Sequence, residues 1–565
     1  MGNTAAAAVA PSLRVPTSLL YVFALAIPLA YLCMLGAFAL AEPDEPRYAE
    51  IPREMIESGD WVTPRLNYVK YFEKPPLVYW LTALNFTLFG MGEFVARLWP
   101  ALFALMGIGV AYALGRSMYG PWTGYAAAAL LAATPLYFGL SQIFILDMPL
   151  TGLMTGALGA FWFAHSDSQQ RTPYTWLLYA AAALAVLTKG PVAPLLIGAI
   201  IASFLLLQRD LGSLRWVVNP VGIAFFLVIA LPWFIVVSGR NPEFVDFFLI
   251  KQHVERFLTP SEHQQPLWFF VPIVVAGMLP WTAFALFAPR LLGSFLARLV
   301  TGHVSAATLY CVLWSGVIFA FFSLSASKLA TYILPMFCPL AILAARFFEH
   351  VIASGRNEVL RRGTVAVLVL ALAALLGAAI AGEVVDTWQV DAILPALYIG
   401  GVLLGVAAVV ALVALRRGGP QACFATLLLG TLGLQVVAMT GRSVAAEYRS
   451  LGLTIRAQAR PQDEVVTYLH YVQAIPFYGR RRTVMVGGRG ELDFGSRQED
   501  ARTFFWDTDA QLVDAWRTPG RRVFLIINRI ELEPLLPQLH PPPRQVAAQG
   551  KKVVVVNFNP DERPG

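Results

Sequence analysis

About thirteen stretches of mostly apolar residues succeed one another between residues 17 and 440, and they constrain the fold more than any other feature of this chain. A bilayer core is about 30 Å thick, so a helix needs roughly 20 such residues to cross it. The stretches fall near 17–41, 92–115, 121–141, 148–165, 174–187, 190–207, 216–238, 267–289, 305–324, 329–348, 363–382, 393–415 and 421–440. Hydrophobic residues make up 57% of the chain and charged ones only 14%, more apolar matter than a soluble core of this length requires. The expectation is a polytopic α-helical membrane protein. The first stretch ends in AFALA, which imitates a signal-peptidase site. Its roughly 24 residues exceed the 7–15 of a signal sequence, so it reads as an uncleaved span.

Cations orient the spans, because Lys and Arg accumulate in cytoplasmic loops. With the N-terminus inside, those loops carry Arg116; Arg171; Arg209 and Arg215; Arg290 and Arg298; Arg346, Arg356, Arg361 and Arg362; and Arg416 and Arg417. The net charge of +7 is thus dispersed between apolar runs and forms no single basic face, which argues against nucleic acid and for anionic lipid. Short loops on the opposite side carry only Lys189, in TKGP, and Lys328, in SASKLATYILP. Cations on the disfavoured side either snorkel from helix ends or bind something anionic. Cys33, Cys311, Cys338 and Cys423 lie in apolar runs without CxxC spacing and read as small core residues.

Two longer external loops interrupt the spans, at 42–91 and 239–266. The first opens EPDEPRYAE and predicts a short surface helix ending at Gly59 and interrupted by Pro52, with Asp44 just before its start. Within that loop, PPLVYWLTALNFTLFG at 75–90 reads as an interfacial helix, since adding it as a span would invert every later loop. Five cations accompany the acids: Arg47, Arg53, Arg65, Lys70 and Lys74. The second loop places Phe244, Phe247, Phe248, Val254 and Phe257 at helical spacing beside Lys251, His253, Glu255 and Arg256, a second amphipathic helix. Glu73, His253 and His263 form the one candidate set for a divalent metal, without a recognised ligand spacing. Asp147, in ILDMPL, is placed to cap a helix beginning at Met148.

Beyond residue 441 the pattern changes. EVVTYLH, RTVMVGG, RRVFLIINR and KKVVVVNFN read as strands, with TDAQLVDAWRT as a helix between two of them. The chain is therefore divided into a membrane domain, 1–441, and a small α/β domain, 442–565, which an odd number of spans places outside the inner membrane. GGRG at 487–490 lacks the spacing of a dinucleotide site.

In order along the chain, DEPRYAEIPREMIESGDWVTP, YFEKPP, ILDMPL, TKG, LPW, HVERF and SKLATYILP resemble the bacterial lipid A aminoarabinose transferases, members of the protein O-mannosyltransferase-like, C-type glycosyltransferase superfamily. The resemblance covers most of residues 40–340. It implies the C-type fold and transfer of 4-amino-4-deoxy-L-arabinose from undecaprenyl phosphate to a lipid A phosphate, in a periplasmic cavity of a monomeric inner-membrane enzyme whose product resists cationic peptides such as polymyxin. On motif positions it implies Asp44 and Asp147 as catalytic acids, and Glu45, Tyr48, Tyr71, Lys74, Lys189, Arg256, Lys328 and Tyr332 as substrate contacts. No cofactor is required beyond the optional metal. Ala330 stands where some members have Pro, and KPPLVYW recurs in relatives that use other sugars.

Residue chemistry accords with that reading. A phosphate monoester is mostly dianionic near pH 7 and needs positioned cations more than a general base. Asp44 then either orients the acceptor or faces the ammonium and developing positive charge of the sugar. The rival readings are a protein O-mannosyltransferase of the same superfamily and a lipid transporter, which would concentrate its ionisable groups at mid-membrane.

Overall fold

The apolar runs fold as helices. A computed structural model of the chain describes residues 13, 16–255, 264–384, 388–444, 448–498 and 502–559. Its first nine helices are α1 (Thr17–Leu32), α2 (Asp44–Ser58), α3 (Leu77–Phe89), α4 (Glu93–Tyr119), α5 (Pro121–Ala132), α6 (Pro135–Ser141), α7 (Asp147–Ser166), α8 (Arg171–Lys189) and α9 (Val192–Leu207). Pro220–Arg240, Ala306–Leu324, Phe337–Ala353, Asn357–Val384, Trp388–Arg417 and Pro420–Ala438 are the longer helices that follow. Every expected span falls on a helix or a broken helix. By length and composition, seven helical segments among the described residues suffice to cross a membrane, or eight if α5 and α6, bent by 62°, count as one. The chain is a multi-pass membrane protein.

By contact, the chain divides into two compact units. One comprises Met1–Leu35, Arg97–Ile235 and Leu249–Val444; the other gathers Gly36–Ala96, Val236–Phe248 and Ala445–Gly565. The second unit thus takes in most of the first external loop together with the C-terminal residues.

Its centre is a six-stranded sheet. After the two-residue strands β1 (Arg65–Leu66) and β2 (Val69–Lys70) come β3 (Glu464–Tyr468), β4 (Val484–Val486), β5 (Phe505–Trp506), β6 (Val523–Asn528), β7 (Arg544–Gln549) and β8 (Lys552–Val556), and these six are ordered β5-β4-β3-β6-β8-β7. Neighbours from β5 to β6 run parallel, whereas β8 is antiparallel to β6 and to β7. A strand covered on both faces is apolar throughout, which explains VFLIIN and KVVVV. Val466, Leu525, Ile527 and Val555 pack with Trp516 on one face, and Val465, Phe524, Ile526 and Val554 with Ile455 on the other. The period-2 alternation of these residues distributes one run of sequence over two cores. The four expected strands and the helix, Asp509–Arg517, are present. β5 and β7 are additions: β5 is two residues long, and RQVAAQ in β7 is too polar to read as a strand.

Local corrections follow from packing. α2 continues through Pro52 because Ile51, Pro52, Arg53, Glu54 and Met55 are all buried, and the surrounding contacts hold a helix that has lost one hydrogen bond. It ends, as expected, at Gly59, whose φ of 70° suits a residue without Cβ. The second external helix is a π-helix, Asp246–Glu255, in place of an α-helix. Phe244 and Phe248 are buried and stacked at 5.2 Å, so they serve the protein interior and not a lipid interface. Phe257 lies outside the described residues. α3 spans 13 residues, roughly 20 Å, too short to cross a bilayer. Leu84, Leu88 and Phe89 are exposed along it, while Thr82 and Asn85 are buried. Cys33 is exposed just beyond α1, whereas the other three cysteines are buried.

Candidate active site

In the second unit the site residues gather around α2. Acids in the first turn of a helix are favoured by its unpaired N–H groups, and Asp44 and Glu45 occupy that turn. Asp44 is the first residue of the helix and is 51% exposed; its carboxylate accepts from Arg47 Nη1 at 3.0 Å. Arg47 Nε lies 2.5 Å from Glu491, a residue distant in sequence. Glu45 is buried and accepts the backbone N–H of Ala41 at 2.9 Å, a contact that closes the turn into α2. Tyr48 packs against Tyr79, with ring centroids 6.3 Å apart. Tyr71 is buried, and its hydroxyl has no hydrogen-bond partner among the described residues. Lys74 donates to the carbonyl of Glu73 at 3.2 Å.

Arg47 is the electrostatic centre of this group. Although burial works against its charge, Tyr71, Glu491, Tyr48 and Asp44 hold it more firmly protonated than an ordinary arginine. Burial pushes the Glu491 carboxyl up to about 7 against the pull of Arg47, with Glu73, Asp44 and Glu42 adding to the push. Burial likewise takes Glu42 to about 7, opposed by the N–H groups of Ala474 and Gln473 that its carboxylate accepts at 2.5 and 3.2 Å. Glu491 had no signal in the sequence, since it lies in a segment of ordinary surface composition.

Further along α2, the guanidinium of Arg53 donates to both oxygens of Glu50, at 2.6 and 2.7 Å, and to the Tyr68 hydroxyl at 3.2 Å. Tyr68 N–H donates to Glu54 at 2.9 Å. This buried network fixes the β1–β2 turn to the helix. Lys70, in β2, pairs with Glu243 at 2.7 Å. Of the loop cations read as anion binders, Arg53 and Lys70 are therefore committed to carboxylates.

In the first unit, a helical hairpin sets the geometry. α7 has 20 residues and α8 has 19, and they pack side by side across the short connection at 167–170. Equal lengths return the end of α8 to the level at which α7 begins. Asp147 opens α7 and Lys189 closes α8, each at the helix end whose dipole favours its charge. Lys189 Nζ donates to Asp147 Oδ1 at 2.6 Å, with the two side chains only 17% and 14% exposed. The same ammonium lies 4.8 Å from the ring centroid of Tyr332. Asp147 is the first residue of the helix and Leu146 its N-cap, in contrast to the expected capping position of Asp147, and the Asp147 carboxylate accepts from Lys189. Three residues singled out separately in the sequence thus meet.

Lys328 behaves differently. It is 6% exposed and donates to the carbonyls of Ser325 at 2.6 Å and Gln265 at 3.1 Å. Among the described residues no carboxylate pairs with it, so a buried positive charge is held by neutral oxygens alone. Such a charge is costly unless an anion completes its surroundings.

Arg256 and His263 lie outside the described residues, and the side chain of His253 is likewise not described. Among the described residues no group of three or more His, Cys, Asp or Glu is placed to hold a metal ion. Glu73 remains in the Arg47 group as an electrostatic neighbour of Tyr71 and Glu491.

Two family profiles match the chain: Dolichyl-phosphate-mannose-protein mannosyltransferase over residues 73–236 and Aminoarabinose transferase C-terminal domain over residues 451–557. An undecaprenyl phosphate-alpha-4-amino-4-deoxy-L-arabinose arabinosyl transferase of Edwardsiella ictaluri is 31% identical over 354 residues, 62% of this chain, and the match spans 63% of that relative's length. The protein of the same name from Shewanella sediminis is 29% identical over 500 residues, 84% of this chain and 86% of its own. The crystal structure of ArnT from Cupriavidus metallidurans bound to undecaprenyl phosphate superposes with a TM-score of 0.87 at 30% identity, covering 96% of this chain and 99% of that one.

Proposed function

The chain belongs to the ArnT family of aminoarabinose transferases, and from that premise we propose that it transfers 4-amino-4-deoxy-L-arabinose from undecaprenyl phosphate to a phosphate of lipid A. The observation that carries this reading is the near full-length likeness to an ArnT crystallised with undecaprenyl phosphate. In the proposed reaction an acceptor phosphate oxygen forms a bond to the anomeric carbon as the bond to the donor phosphate breaks. Undecaprenyl phosphate leaves with the electron pair. The acceptor dianion needs no deprotonation, which suits a chain whose site residues are cations, tyrosines and carboxylates.

Each group has a task in that scheme. Lys328, buried and already donating to two carbonyls, contributes its remaining N–H to a phosphate oxygen. Lys189 is partly neutralised by Asp147, so this pair chiefly positions Tyr332 and the start of α7. Asp44, half exposed with its charge shared by Arg47, faces the ammonium of the sugar. Arg256 and Lys74 are further phosphate contacts. The active face and the C-terminal α/β domain are periplasmic, on an inner-membrane protein, as the distribution of arginines favours. Loading a cation onto lipid A lowers its negative charge and so its attraction for polymyxin-like peptides.

The match to the mannosyltransferase profile gives the rival, a protein O-mannosyltransferase, its support, but the aminoarabinose-specific profile over residues 451–557 favours the lipid reaction. Purified chain incubated with undecaprenyl phosphate-aminoarabinose and lipid A should add the mass of one aminoarabinose to the lipid. Mannosylation of an exported protein, with lipid A unchanged, would overturn the proposal.

A further inference from the structure

A cavity of about 670 Å³ opens between α1, α4, α5 and the helix Pro420–Ala438, and none of the site residues assigned above lines it. Its wall is apolar over most of its length, and small residues such as Gly109 and Ala129 make room for it. A Cβ added at Gly109 would meet nothing within 4 Å, so that backbone fronts open space. On α1, Tyr21 at 73% exposure also lines the cavity, which therefore opens on the outer surface of the helices.

Polar groups are confined to one end. Thr17 begins α1, Gln421 is the second residue of its helix, Tyr125 lies near the start of α5, and Tyr112 lies towards the end of α4. Tyr112 and Tyr125 pack with centroids 4.8 Å apart and ring planes tilted by 46°, and Arg116 donates to the Tyr112 hydroxyl at 2.8 Å. The same end bears Arg416 and Arg417, which close the preceding helix just before Pro420. From Thr17 to Pro28, the stretch of α1 along the cavity, a helix rises roughly 16 Å, close to half of the ~30 Å hydrocarbon core.

We propose that this cavity is a site for an anionic glycerophospholipid of the leaflet on the arginine-bearing side. One acyl chain lies along the apolar wall for the depth of its own leaflet. The head-group phosphate meets Arg116, with the two tyrosine hydroxyls at the ester level. The amphiphilic layout carries the assignment: apolar body, hydroxyls next, and cations at the mouth, in the order that a phospholipid presents their complements. A polyprenyl phosphate fits less well, because its chain far exceeds the depth of one leaflet.

The test is native mass spectrometry of the whole protein released from bilayers of equimolar phosphatidylglycerol and phosphatidylethanolamine. The wild type should retain one phosphatidylglycerol through detergent exchange. Gly109→Leu, which projects a side chain into the cavity across the path of an acyl chain, and Arg116→Gln, which removes the charge, should each lower that retention about ten-fold or more, whereas Arg116→Lys should keep most of it. Thermal unfolding of each variant separates loss of lipid from loss of fold. Equal retention of both phospholipids, or phosphatidylglycerol retained by variants with wild-type unfolding temperatures, would overturn the proposal. So would preferential displacement of phosphatidylglycerol by added undecaprenyl phosphate.

Discussion

Breaking the Asp147–Lys189 pair should cost far more than breaking a surface ion pair, and a double-mutant cycle can show it. At 2.6 Å two unit charges attract by about 6 kcal/mol at an effective dielectric of ~20. Removing both from water cancels much of that attraction. The side chains retain 14% and 17% exposure, so screening is partial, and the pair falls between exposed pairs, at roughly 0–1 kcal/mol, and fully buried ones. Asp147→Asn takes from the ammonium its carboxylate partner, beside the Tyr332 ring, and Lys189→Gln takes from the carboxylate its ammonium. We expect each to destabilise the first unit by about 2–3 kcal/mol and the double variant to cost less than their sum, with a coupling of about 1–3 kcal/mol. Reversible denaturant unfolding in mixed micelles reads all four corners of the cycle. Additivity within about 0.5 kcal/mol would show that the contact carries no energy, and the positioning role given to the pair would go with it.

Three further outcomes are expected. Asp44→Asn should abolish transfer yet change stability by no more than about 0.5 kcal/mol, because the carboxylate is half exposed and its Arg47 partner keeps Glu491; a variant keeping over about half of the wild-type rate would remove Asp44 from the reaction. Lys328→Ala should weaken undecaprenyl phosphate binding about 10- to 150-fold, the loss of one charge-assisted hydrogen bond, with partial recovery in Lys328→Arg; unchanged affinity in a folded Ala variant would refute the phosphate contact. Glu42 and Glu491 are raised from 4.5 to about 7, so the folded state holds protons that the unfolded state has lost between those values. The stability they contribute is complete below pH ~4.5 and lost as pH rises through ~7, and Glu42→Gln combined with Glu491→Gln should flatten unfolding temperature against pH over that window. A slope unchanged in the double variant would assign the pH dependence elsewhere.

The sequence by itself determined what depends on composition and local period. Apolar length set the helices, because a bilayer of fixed thickness demands it; alternation and β-branched runs set β3, β6 and β8; and the quoted motifs set the family and its residue types. Local rules also found the end of α2 at Gly59, where left-handed backbone follows the helix. Tertiary structure decided which residues meet. Lys189 reaches Asp147 only because α7 and α8 are matched in length, and Arg47 meets Glu491 only because α2 shares a unit with the C-terminal residues. Asn67 shows the same thing in miniature: buried in a left-handed turn, it exchanges two 2.8 Å hydrogen bonds with the backbone of Thr483. No local pattern encodes such a partner, because a side chain of four or five bonds reaches whatever the fold brings near, and closing a loop of some four hundred residues costs little more than closing one of two hundred.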